Sequence, residues 1–168
     1  MKKQQKSVVL GVVAVVVLLI GIKAFSSDAS QTATVVVNGS LAFAETNWDF
    51  GDIIMSDGVV TKQVTFTNDS ATPITVTQME TSCMCTTAQI VHEDGSKSGL
   101  KGMVGHGGGN ASLSEIIEVG ETATLLVNFD PNAHGPEATG PITRTVMLRT
   151  NSQAQSQTEL TFSGNVLK

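Results

Sequence analysis

The chain has 168 residues, room for one domain of ordinary size behind an N-terminal segment, and a formal net charge of −5. All 15 acidic residues but only six of the 10 basic ones lie beyond residue 26, so that part carries 6 − 15 = −9, which argues against nucleic acid or an anionic membrane surface as its partner. Tyrosine is absent and Trp48 is the only tryptophan, which argues against a sugar-binding face built on aromatic platforms.

Lys2, Lys3 and Lys6 precede an unbroken apolar run from Val8 to Ile22. As a helix this run spans about 22 Å, short of a hydrocarbon core of about 30 Å, and counting on to Phe25 with Lys23 snorkelling lengthens it to about 27 Å. Residues 1–26 therefore read as a signal anchor or a signal peptide. Lys23 and the lack of a nearby Ala-x-Ala site favour an anchor, while "AFS" (24–26) leaves a small-x-small site for cleavage. Both readings place the N-terminus in the cytoplasm and the remainder outside, by the positive-inside rule. Residues 27–34 form a polar tether, and 35–168 the domain.

Beyond the tether the sequence predicts strands throughout. In "WDFGDI" (48–53), Trp48 and Phe50 fall on one face as core residues, and Gly51 permits a kink. "VTKQVTFTN" (60–68) sets Val60, Lys62, Val64, Phe66 and Asn68 on one side and Thr61, Gln63, Thr65 and Thr67 on the other, the pattern of a half-buried strand. "NDSATP" (68–73) is a turn in which Asn68 and Asp69 bond their own backbone. "ITVTQM" (74–79), "TATLLVNF" (122–129), "TRTVMLRTN" (143–151) and "TELTFSGNV" (158–166) repeat the strand theme. With no amphipathic helix after residue 26, the expected architecture is all-β, an antiparallel immunoglobulin-like sandwich preceded by the single N-terminal helix. Residues 93–115 carry seven glycines and little periodicity, and read as a long insertion between strands.

"TSCMCTT" (81–87) holds both cysteines. On a regular strand Cys83 and Cys85 share a face with their Cα atoms about 6.5–7 Å apart, at the upper edge of disulfide geometry, so that a bond between them requires a kinked backbone. Three readings stay open: a readily reduced disulfide, a pair of buried thiols, or a soft-metal site. Thiolate with thioether donors selects Cu(I), and the metal reading takes Cys83, Cys85, Met103 and His106 as ligands, with copper as the possible cofactor. Met79 by strand parity and His92 by proximity are further donors. His134, in "NAHGP", reads as a surface loop residue.

Taken in order, "WDFGDI", "FTNDSATPITV", "TSCMCTT", "VGETATLLVNFD" and "TVMLRTN" resemble the bacterial domain-of-unknown-function 1573 family over residues 42–151. That resemblance implies a small exported immunoglobulin-like domain, related to abnormal-spindle and hydin modules, periplasmic or membrane-associated and without an assigned activity. Met84 stands where the family has glycine, and the stretch after the cysteines is longer. No catalytic Ser/His/Asp order or Gly-x-Ser-x-Gly elbow occurs, so no enzyme is expected. The expected function is a membrane-anchored, envelope-exposed binding module, single-pass in the inner membrane, whose partners are other cell-envelope proteins. The alternative is a copper-binding or copper-transfer protein.

Overall fold

The computed structural model describes residues 37–106 and 109–168. The basic leader, the apolar run and the tether lie outside the described residues, and so does the choice between anchor and signal peptide. Among the described residues no helix is long and apolar enough to cross a membrane.

Among the described residues nine strands occur in chain order: β1 (Leu41–Phe43), β2 (Asn47–Ile54), β3 (Val60–Asn68), β4 (Ile74–Thr81), β5 (Thr86–Val91), β6 (Ser112–Ile117), β7 (Thr122–Phe129), β8 (Gly140–Thr150) and β9 (Gln157–Leu167). They form a four-stranded sheet, β1-β3-β7-β5, packed on a five-stranded sheet, β2-β9-β8-β4-β6. Every connection up to β8 crosses from one sheet to the other, and only β8–β9 is a hairpin within a sheet.

The period-two segments fall where their patterns place them. In β3, Val64, Phe66 and Asn68 are buried while Thr61, Gln63 and Thr65 face solvent. All strand pairs are antiparallel but one: β2 runs parallel to β9, with Trp48 opposite Phe162. Alternation fixes which face of a strand is buried and says nothing about its neighbour's direction, so this pair departs from the expected antiparallel sandwich. The register of that pair shifts between Asp49 and Asp52, where Gly51 takes a positive φ of 66°. An extra residue in left-handed conformation is what a β-bulge needs, and glycine supplies it without a Cβ penalty.

Between the sheets lies one apolar layer including Phe66, Ile90, Leu125, Leu148 and Leu160, each at most 1% exposed. At one end Phe162 is the hub of an aromatic cluster: Trp48 stacks on it at 5.4 Å, and Phe50 and Phe129 meet it edge-on at 5.3 and 5.8 Å. Met79, expected beside the cysteines, is fully buried in this core instead.

The insertion is more ordered than its glycine content suggests. Residues 97–101 return along β5 through isolated bridges Val91–Lys97 and Ala88–Lys101, and the insertion's end forms the first part of β6. Replacing Phe162 by alanine should destabilise the domain by about 3–5 kcal/mol, because the surrounding rings belong to two sheets and cannot collapse into the void. Denaturant unfolding of parent and variant measures it.

Candidate functional site at the cysteine corner

Cys83 and Cys85 do not lie on a strand. Residues 82–85 make the corner between β4 in one sheet and β5 in the other. The Thr86 amide donates to the Cys83 carbonyl at 3.1 Å, which closes a tight turn and draws the two Cα atoms to 5.3 Å. That separation is well inside disulfide range, and the cysteines are bonded to each other. The kink that a strand would have lacked is thus supplied by the change of sheet. In this form neither sulfur is a thiolate, so the disulfide form offers no thiolate pair to copper, and the copper reading is not favoured.

The corner is held without help from the sulfur bond. The Thr81 hydroxyl lies 2.9 Å from the Cys83 carbonyl and 3.0 Å from that of Thr86 and donates its one proton between them. Ser82 pairs with Thr145 twice, its amide donating to the Thr145 carbonyl at 3.0 Å and its hydroxyl accepting from the Thr145 amide at 2.9 Å. The Asp130 amide donates to the Cys85 carbonyl at 2.8 Å, tying the loop after β7 to the corner.

That loop delivers a residue the sequence did not assign here. His134 is exposed, as expected of a loop residue, yet its Nε2 sits 3.0 Å from Cys83 Sγ. From the other side, Arg144 on β8 donates from Nε to Cys85 Sγ at 3.2 Å. Cys85 is buried at 3% exposure, Cys83 is half-buried, and Met84 projects into solvent at the tip. The donor atoms of Cys83, Cys85 and His134 lie within 4.8 Å of one another, a group that does not include His106. Met103 lines a separate cleft of about 350 Å³ with Thr81, Ser82, Thr145 and Met147. The link to His134 spans 51 residues and depends on the pairing of β5 with β7, which sets Thr86 opposite Phe129. Adjacent sequence gives no sign of it.

A second polar constellation joins β5 to β6. His92, just past β5, places Nδ1 2.7 Å from Glu121 and Nε2 3.2 Å from Glu115 on β6. These residues border an open cleft of about 790 Å³, lined also by Glu93, Asp94, Ile116, Glu118 and Val119. The cysteines and this histidine clamp bracket β5.

Residues 41–105 match the family described as "Protein of unknown function (DUF1573)". No curated protein sequence matches the chain. Among solved structures it is similar to a protein of unknown function from Porphyromonas gingivalis W83, at 14% identity and a TM-score of 0.56, over 82% of this chain and 51% of that one. The chain thus spans about half the length of that relative, and the likeness concerns the fold. Weaker similarities are to the ASH / PapD-like domain 7 of human CEP192 (9% identity, TM-score 0.47, 76% of this chain and 85% of that one) and to AggA, the major subunit of aggregative adherence fimbriae type I from Escherichia coli (13%, 0.40, 79% and 98%).

The histidine clamp makes stability depend on pH. Burial lowers the His92 pKa, but the hydrogen bonds and charges of Glu121 and Glu115 outweigh it and hold it above the ordinary value of 6.5. Burial raises Glu121, and the Glu118 amide and His92 outweigh it, so that carboxyl lies below its ordinary value. A raised histidine contributes stability that is complete below its unfolded pKa and fades as pH rises through the folded one. The parent's melting temperature should therefore fall between about pH 6 and about pH 8 by more than that of His92→Gln. Parallel slopes in thermal melts would show that the clamp contributes nothing.

Proposed function

We propose that this chain is an envelope-exposed, immunoglobulin-like interaction module, anchored in the bacterial inner membrane by its N-terminal run, and that it binds other envelope proteins by accepting an extended segment along β6. The basic leader followed by an apolar run supports export, and a disulfide in the domain fits an oxidising compartment.

The observation that carries the docking reading is the unequal treatment of the four sheet edges. β1 is three residues long, and the Gln155 side chain bonds both the amide of Leu41, at 2.6 Å, and its carbonyl, at 3.3 Å. Residues 97–101 lie against β5. β2 is bent by the bulge at Gly51 and carries Asp49 and Asp52. Short strands, bulges, charges and covering segments are the means by which natural sheets refuse further pairing. Among the described residues β6 has β4 as its sole strand neighbour. Ile116, 50% exposed, and Val119, 52% exposed, stand beside this edge, where addition of a strand would bury them. The carboxylates of Glu93, Asp94, Glu115 and Glu118 around the cleft select a basic segment.

A peptide of alternating lysine and valine should protect the amides of residues 112–117 from hydrogen exchange. Its affinity should fall by about tenfold or more in Ile116→Lys, which places a positive charge at the centre of the contact. Protection elsewhere on the domain, or none at all, would defeat the reading.

A further inference from the structure

We infer that the Cys83–Cys85 disulfide is a thiol–disulfide exchange site, built to be reduced and reoxidised in the folded domain by a partner thiol or dithiol. This goes beyond the docking role and does not rest on it.

Three observations carry the inference together. The first is ring size. With one residue between the cysteines, the bond removes almost no freedom from the unfolded chain and adds little to stability. Thr81, Ser82 and the turn bond at Thr86 already hold the corner. The second is access. Cys83 is the less covered of the pair, half-buried beside the exposed His134 and Met84, whereas Cys85 is 3% exposed, so the approach to the bond is from the Cys83 side. The third is the charge placed on the covered sulfur. Arg144 is half-buried, donates Nε to Cys85 Sγ at 3.2 Å, and has no carboxylate partner among the described residues. A disulfide sulfur is a weak acceptor and gains little from a guanidinium, whereas a thiolate gains a charge-assisted hydrogen bond. The surroundings of Cys85 are matched to the state in which the bond is broken.

The exchange follows. A partner thiolate attacks Cys83 Sγ, forming a mixed disulfide, and the Cys83–Cys85 bond breaks with its electron pair passing to Cys85 as a thiolate held by Arg144. A second partner thiolate then attacks the partner's own sulfur in the mixed disulfide. Cys83 leaves as a thiolate and takes a proton from His134, whose Nε2 lies 3.0 Å away. The partner dithiol loses two electrons and becomes a disulfide, while the domain gains them. The two protons released by the partner end on the cysteine pair or in water. In the reverse direction Cys83, paired with His134, is the attacking group.

Full-length protein equilibrated in mixtures of reduced and oxidised glutathione, then alkylated and weighed, tests this. The parent should interconvert between disulfide and dithiol within minutes under native conditions. Cys85→Ser should accumulate a single glutathione adduct on Cys83. Arg144→Gln should shift the equilibrium toward the disulfide by about tenfold, and Arg144→Lys should retain most of the parent's position. Thermal melts of the oxidised proteins separate this from a structural role, which would lower stability without moving the redox equilibrium. His134→Gln in the Cys85→Ser background should slow adduct formation. A parent whose disulfide reacts only once the domain unfolds would overturn the proposal whatever the variants do. So would an Arg144→Gln protein with an unchanged equilibrium.

Discussion

The structure depends on one constraint: each strand from β1 to β7 hands the chain to the opposite sheet. Each such crossing leaves the regular ladder of one sheet before entering that of the other, and the backbone groups in between still need partners. Side chains supply them. Asn68 is fully buried, donates from Nδ2 to the carbonyls of Thr72 and Ile117 at 3.0 and 2.8 Å, and accepts from the amide and hydroxyl of Ser70 at 3.1 and 2.6 Å. It thereby joins the β3–β4 corner to the end of β6. The Ser152 hydroxyl, likewise buried, reaches the Gly39 carbonyl from across the domain. The apolar layer drives collapse, but these polar joints decide which strands are consecutive neighbours across it.

The same constraint concentrates chemistry on one flank. β5 and β6 are edges of opposite sheets on the same side of the sandwich, and the chain between β4 and β7 contains the cysteine corner, the covering segment 97–101 and the histidine clamp. A corner that crosses between sheets can bend sharply enough to bring residues two apart into bonding distance, which a straight strand cannot. The disulfide and its basic neighbours thus result from topology as much as from the residues themselves. In a domain rich in carboxylates, the sulfurs thus have a guanidinium on one side and an imidazole on the other.

Strands with one wet face were legible in the sequence, because Val64 and Phe66 against Gln63 and Thr65 leave a single way to lie on a core. Three strands were not: β1, at three residues, is too short to show an alternation. In β5 the inward positions are Thr86, Ala88 and Ile90, where a hydroxyl and a methyl break the apolar alternation; β6 begins in a glycine-rich stretch that hides its periodicity. The turn at Cys83 contains no glycine, proline or asparagine to announce it. His134 was out of reach for a different reason: its place is fixed by register between β5 and β7, a property of pairs of segments. Met103 and His106 become ligands only if the glycine-rich insertion folds back over the cysteines; the insertion instead runs along β5 and puts Met103 in a separate cleft.

The alternation of sheets also bears on when the fold can exist. For a domain drawn across a membrane behind an anchor that keeps the N-terminus in the cytoplasm, as proposed, the early strands emerge without their neighbours. β3 waits for β7, and β2 waits for β9, which inserts between it and β8. Apart from the return of residues 97–101 along β5, local pairing begins only with the β8–β9 hairpin, so most of the topology must be closed by distant contacts, which makes for slow assembly. On that proposal translocation and folding are separate stages, and β9 is the latch. Until it seats, β2 has no partner and β8 keeps an open edge, the form in which holding factors would meet the chain.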